Sequence, residues 1–161
     1  MTASVEAHLP PLGAHRRNEV GHELQATLVE LVDLSLVGKQ LHWSVVGPFF
    51  RSLHLQLDEL VDSWRELADT VAERAVALGY QVDGQAATVA AGTESPTLER
   101  GPIEDHVVVA DLTRRLADVT ERIRERMDRL GDLDLPSQDV LIEVMRTLEQ
   151  QLWMIRVQLA S

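Results

Sequence analysis

His42-Trp43-Ser44-Val45-Val46-Gly47-Pro48-Phe49-Phe50-Arg51-Ser52-Leu53-His54 breaks the chain between two helical segments and sets a histidine on each side of the break. Pro48 disfavours helix at Gly47 and is itself well suited to a helix start, so Gly47-Pro48 marks a tight turn. Upstream, Leu24, Leu28, Leu31, Leu34 and Leu41 recur at helical spacing and predict a first helix from Asn18 to about Val46. Downstream, Leu53, Leu57, Leu60, Val61, Trp64, Leu67, Val71 and Ala75 predict a second from Phe49 to about Leu78, with Gly79 as its stop. The two fold back on each other as an antiparallel hairpin.

Beyond the hairpin the pattern lapses. Residues 79–102 carry Gly84, Gly92 and Gly101, with prolines among Gln, Thr and Ser, and read as a long connection with one short helical piece near Ala86 to Ala91. Val109, Leu112, Leu116, Val119, Ile123, Met127 and Leu130 then predict a third helix from about Ile103 to Leu130. Asp132-Leu133-Asp134-Leu135-Pro136-Ser137 reads as a turn that ends in capping residues. Leu141, Met145, Leu148, Leu152, Ile155 and Leu159 predict a fourth helix from about Gln138 to Leu159. The expected fold is all-α, a four-helix bundle whose long crossover holds a short helix. Residues 1–17, with Pro10-Pro11-Leu12-Gly13, read as a flexible tail and residues 18–161 as a single domain.

Composition narrows the chemistry. A chain of 161 residues can bury one core, and 45% hydrophobic with only 4% aromatic content suits aliphatic helix packing. The absence of cysteine excludes disulfides, zinc ribbons and thiol nucleophiles, which leaves His, Asp and Glu as metal ligands. A formal net charge of −11 repels nucleic acid and attracts cations. Arg16 and Arg17, with His8 and His15 nearby, are too few for an arm that grips phosphates, and read as a packing or tethering tail. No signal peptide and no membrane-length apolar run is expected, which makes the cytoplasm the expected location.

The second helix carries two pairs four residues apart, His54 with Asp58 and Asp69 with Glu73, and residues at that spacing share one face. Asp58 and Asp69 point in nearly the same direction, yet the rise between them is about 16 Å. Ligand bonds to a metal are only about 2 Å long, so one chain cannot bring both pairs to one ion. A second copy can. If two such helices cross antiparallel about a two-fold axis near Ser63-Trp64, His54 meets the partner's Glu73 and Asp58 meets the partner's Asp69, since both pairs of residue numbers total 127. His42 lies at a similar height to His54 across the Gly47-Pro48 turn and joins the site. Mixed imidazole and carboxylate ligands suit ferrous and ferric iron, with zinc or manganese able to take the same positions. Glu19-Val20-Gly21-His22 has the Glu-x-x-His form used inside di-iron bundles, but that scheme needs a second such motif and two more glutamates. Glu19 and His22 therefore read as first-turn surface residues.

Lys39-Gln40-Leu41-His42-Trp43-Ser44-Val45-Val46-Gly47-Pro48-Phe49-Phe50, then Leu53-His54-Leu55-Gln56-Leu57-Asp58-Glu59-Leu60-Val61-Asp62, then Asp69-Thr70-Val71-Ala72-Glu73-Arg74 resemble the signature elements of the Dps proteins, in their sequence and in the spacing between them. These are ferritin-like mini-ferritins named as DNA-binding proteins from starved cells, here of the actinobacterial type. The specific motifs lie in residues 39–74, while the architecture matches along essentially the whole chain. The resemblance implies a dinuclear ferroxidase centre with His42, His54 and Asp58 from one subunit and Asp69 and Glu73 from its two-fold mate. It implies that Trp43 lies beside the centre, where it shields against or quenches radicals whether or not it also packs in the core. Lys39 would stand just behind the ligands. It further implies a hollow dodecamer that stores ferric mineral, consumes hydrogen peroxide or oxygen, and protects against oxidative damage.

The acidic residues Asp132, Asp134 and Asp139 at the join of the last two helices resemble the negatively charged pores of the family's shells, with Asp139 the first candidate. They read equally well as capping of the fourth helix, whose N-terminus attracts anions. The family's DNA-binding members often carry a lysine-rich tail, whereas this chain offers two arginines near one end and Leu159-Ala160-Ser161 at the other. A nucleoid-associated, DNA-binding role with secondary iron binding is the competing reading.

Overall fold

A computed structural model describes residues 8–159, so the first part of the expected tail, residues 1–7, lies outside the described residues. The elements are α1 (Ala14–Ser44), β1 (Val45–Val46), α2 (Phe50–Ala77), α3 (Ala86–Gly92), β2 (Ile103–Glu104), α4 (Asp105–Leu133) and α5 (Leu135–Arg156), closed by a 3-10 turn at Val157–Leu159. Leu24, Leu31, Leu57, Trp64, Val71, Leu112, Ile123, Leu141 and Leu148 are fully shielded from solvent and meet in one core. Each such side chain contributes about 1.5–3 kcal/mol by leaving water. Trp64 is the largest, and its indole donates to Gln151 Oε1 at 2.8 Å while Gln151 Nε2 donates to Ser63 Oγ at 3.0 Å, which fixes α2 against α5.

Contacts between elements give the direction of each helix. His42 meets His54 and Lys39 meets Asp58, so α1 and α2 run antiparallel. Glu30 meets Arg122 and Glu23 meets Arg129, so α4 also runs against α1 and therefore along α2. Two parallel helices in sequence require the chain to travel back along the bundle between them, and the crossover of residues 78–104 is long for that reason. It is tied down at both ends. Gln25 pairs with the Asp83 backbone through both amide atoms, at 2.7 and 2.9 Å. At the other end Val45 pairs with Ile103 and Val46 with Glu104 in a two-residue parallel ladder.

Several boundaries differ from expectation. α1 begins at Ala14 rather than Asn18, with Arg17 Nη1 donating to Leu12 O at 2.5 Å across its first turn. It ends at Ser44, because Val45 and Val46 leave the helix to pair with the crossover. α4 continues past Leu130 to Leu133, through Gly131, where an added Cβ would lie 2.6 Å from the Gln138 side chain. α5 starts at Leu135, since Pro136 fits a first helical turn and Asp134 caps it by accepting from Ser137 N at 3.1 Å. The expected turn between the last two helices shrinks to Asp134 alone.

Candidate metal centre

The turn between α1 and α2 is built for close approach. Gly47 has φ of +123°, and a Cβ there would stand 2.5 Å from Asp105 Oδ2. Asp105 fills that space: its Oδ2 accepts from Phe49 N at 2.8 Å and its Oδ1 from His106 N at 2.8 Å. Thus the start of α4 pins the turn on which the two histidines depend. Further along, Gly38 lets α1 press onto α2, since a Cβ would lie 2.6 Å from Val61 and 2.7 Å from Trp64.

With the helices held this near, the His42 and His54 rings stack at 3.6 Å between centroids and 21° between planes. Their Nδ1 atoms are used reciprocally, His42 Nδ1 on His54 O and His54 Nδ1 on His42 O, each at 2.9 Å. A carbonyl oxygen only accepts, so each Nδ1 carries a proton, and Nε2 is left as the lone-pair nitrogen of the neutral ring. Orienting an imidazole through its other nitrogen is the arrangement metal-binding histidines use. Phe50 lies against the far side of His54 at 5.0 Å. His42 is only 7% exposed, so its ring is fixed by packing as well.

Asp58 completes this group. Its Oδ1 lies 2.5 Å from Lys39 Nζ and 3.3 Å from His42 Nδ1. Hydrogen bonding from Lys39 holds the Asp58 carboxyl below the usual carboxylate range, against a smaller desolvation effect. The Lys39 ammonium also sits 5.9 Å from the Trp43 ring centre. Trp43 itself is 70% exposed beside the group, and the core tryptophan is Trp64.

Asp69 and Glu73 are placed differently. Both are exposed, on the same side of α2 as Asp58 but about 16 Å and more along it. A single chain therefore brings together His42, His54, Asp58 and Lys39 and leaves Asp69 and Glu73 apart from them. Two imidazoles and a carboxylate are a donor set that suits a hard or borderline divalent cation.

The acidic residues near the last join also separate. Asp134 takes Ser137 and the Arg74 guanidinium, at 2.7 Å for the latter. Desolvation alone would raise its carboxyl, but the hydrogen bonds from Ser137 and Arg74 outweigh that and hold it below its usual value. It is thus occupied as a cap, whereas Asp132 and Asp139 lie exposed. Glu19 is half-buried and close to His15 at 3.6 Å, and His22 is turned to Tyr80 at 3.2 Å, so the Glu-x-x-His motif makes no inward-facing pair.

One acidic grouping, Glu104, Asp105 and His106, went unnoticed in the sequence; its ligand atoms lie within 4.8 Å of one another. Asp105 there is committed to the Phe49 and His106 backbone, a structural duty. Nothing in the local sequence announces it, because the turn it holds lies 56 residues away.

A family model described as a ferritin-like domain matches residues 22–161. The DNA protection during starvation protein of Mycolicibacterium smegmatis is 35% identical over 155 residues, which is 95% of this chain and 84% of the relative. Among solved structures, the tetragonal form of Mycobacterium smegmatis Dps gives a TM-score of 0.90 at 34% identity, covering 94% of this chain and 93% of the other. Dps from Microbacterium arborescens in its high iron form gives 0.89 at 29% identity, over 95% and 99% of the two chains.

Proposed function

The chain belongs to the Dps proteins of the ferritin-like family, and on that footing we propose that it oxidises ferrous iron at dinuclear centres shared between two subunits and stores the ferric product in a hollow dodecamer. The stacked His42 and His54, each with Nδ1 locked on a backbone carbonyl, carry this reading. Such locking fixes both rings and turns their Nε2 atoms away from the backbone, where they can take a cation. Iron here is substrate and its mineral is cargo; the relative solved in a high iron form supports the choice of metal. Zinc or manganese fit the same donors.

Each chain's own residues have distinct parts. His42 and His54 bind through Nε2. Asp58 binds once Lys39 Nζ gives way to the cation, and Lys39 then stands as a positive group beside the centre. Asp69 and Glu73 of the two-fold mate supply the carboxylates that favour the ferric state. Hydrogen peroxide is the proposed oxidant and oxygen the alternative. Two ferrous ions give one electron each, the O–O bond breaks, and two protons complete two waters, so no hydroxyl radical is released. Trp43, exposed at the rim, is placed to intercept a stray radical. Asp139 and Asp132 are the proposed pore carboxylates, and Asp134 drops out because it is capped and paired.

A second reading rests on the relative's name, which speaks of DNA protection. The charge of −11 opposes direct DNA binding, and Arg17 is turned back onto Leu12. A mobility shift that vanishes with Arg16→Ala/Arg17→Ala would favour it. Among the described residues no helix is long and apolar enough to cross a membrane, and the proposed setting is the cytoplasm.

The test of the main reading is anaerobic ferrous loading followed by peroxide. Ferric absorbance should rise within seconds at two ferrous ions per peroxide, with no hydroxyl adduct in a spin trap. An absence of rapid ferric absorbance defeats the proposal.

A further inference from the structure

We propose that Asp105 is a positioning residue of the metal centre: its buried carboxylate holds the start of α2 at the height where His42 and His54 lock each other, and so sets the strength of metal binding without touching the metal. This rests on the reading of His42, His54 and Asp58 as ligands and adds the residue that aligns them.

The start of α2 lacks what a helix N-terminus usually carries. Its N-cap is Phe49, whose side chain accepts no hydrogen bond, and its first turn holds Arg51 but no acid. The acceptor and the negative charge both come from α4 instead. Asp105 is 6% exposed, its Oδ2 accepting from Phe49 N and its Oδ1 from His106 N in the first turn of α4, each at 2.8 Å. One carboxylate thus serves the N-termini of two helices. Both oxygens being taken by N–H donors, the charge can stay buried there.

The contact is close enough to transmit position. Ile103 and Glu104, just before Asp105, pair with Val45 and Val46, and Gly47 passes so near the carboxylate that a Cβ would stand 2.5 Å from Oδ2. Residues 103–105 therefore clip the link between the two histidine-bearing helices, with backbone pairing at one end and the Asp105 side chain at the other. What the clip fixes is register. His42 Nδ1 donates to His54 O and His54 Nδ1 to His42 O, at 2.9 Å each. Helices that slide past each other by one residue, about 1.5 Å, cannot keep both bonds. A ring released from its carbonyl is free to turn, or to carry its proton on Nε2, where it no longer accepts a metal.

The probe is Co(II), which takes the same imidazole and carboxylate donors and is measured without any oxidation. Asp105→Ala should weaken Co(II) binding about tenfold or more in competition with a chelator, at a temperature where circular dichroism shows the variant folded. In the metal-free variant, nitrogen NMR of the imidazoles should show His42 and His54 leaving the single Nδ1–H form of the original protein. A merely structural role would lower the melting temperature and leave both readings of the folded protein unmoved. Asp105→Asn keeps the shape and one acceptor, so it should fold and give values between the two. His106→Ala removes a side chain that is 76% exposed but not its backbone N–H, and should change neither reading. Folded Asp105→Ala that binds Co(II) as tightly as the original protein, with both rings still Nδ1–H, overturns the proposal. If that variant does not fold, the same result in Asp105→Asn overturns it. Weakened Co(II) binding in a chain that oxidises no iron would leave the positioning role standing and remove the ferroxidase reading. Slowed oxidation with Co(II) affinity and tautomers intact would do the reverse.

Discussion

The two ends of α2 carry the proposed metal ligands in opposite states of preparation. At the N-terminal end, His54 and Asp58 are already engaged: stacked on His42, hydrogen-bonded to backbone, paired with Lys39. At the C-terminal end, Asp69 and Glu73 stand exposed, and their carboxylates have no comparable scaffold. An imidazole must be aimed and kept in one tautomer to bind a metal, so its end is built in advance. A carboxylate can rotate to meet a cation and costs little if left in water, so its end can wait for a partner. The fold invests its packing where orientation matters.

The largest effects should come from removing the waiting end. Asp69→Ala/Glu73→Ala should slow ferrous oxidation by more than about 100-fold, beyond the range usual for groups one step behind the ligands. It should leave the circular dichroism and the apo melting temperature near their original values, because neither residue supports the monomer. A large loss of stability would instead make these carboxylates structural. The comparison sharpens further in mixtures. A His54→Ala/Asp58→Ala subunit paired with an Asp69→Ala/Glu73→Ala subunit has one intact centre and one empty one. Random co-assembly of two inactive variants should then recover about a quarter of the original rate. No recovery would show that each chain owns its complete centre.

Lys39 tests the prepared end from the other side. Its ammonium occupies Asp58 in the absence of metal, so Lys39→Met should raise ferrous affinity, by up to about tenfold in competition with a chelator. Stability should change little, since Asp58 is well solvated and such pairs are weak. Weaker ferrous binding in this variant would mean that Lys39 organises Asp58 for the metal more than it competes with it.

Much of this was legible in the sequence, and what was not shares a cause. The helices follow from leucine spacing, and the Gly47-Pro48 turn from backbone preferences, because these are local. The grouping of His42, His54 and Asp58 follows from counting outward from that turn. What escaped depends on contacts between distant residues. The Val45–Ile103 ladder joins segments 58 residues apart, and Asp105 acts on a turn nearly as remote. Glu30 sits 5% exposed among leucines and takes Arg122 and Arg126 from α4. The two arginines lie four apart on α4, which was a visible signal, but its meaning required knowing that α4 runs beside α1. The start of α5 differs from expectation for a local reason: Pro136 reads as part of a turn, yet proline is equally at home in a first helical turn.

The smallest predicted effect concerns how the waiting end is held. Arg74, next to Glu73, reaches across to Asp134 and Ser137, so the backbone of that end is anchored to the α4–α5 corner although its carboxylates are not. Asp134→Ala removes the cap of α5 and Arg74's partner together and should cost about 1–2 kcal/mol. At this chain length that is a fall in melting temperature of roughly 2–8 °C, to be compared at equal subunit concentration because assembly adds to stability. The folded Asp134 carboxyl is depressed from 3.8, so its contribution is complete above that pH and is lost as pH falls through the folded value. The gap between the original protein and Asp134→Ala in urea unfolding should therefore be widest near neutrality and close in acid. A gap that does not change with pH would leave the charge of Asp134 without a role. Ferrous oxidation should stay within about twofold, since the anchor holds backbone that the rest of α2 already fixes. A larger loss would mean that Glu73 needs Arg74 to reach the partner, and the two ends of α2 would then be less different than they look.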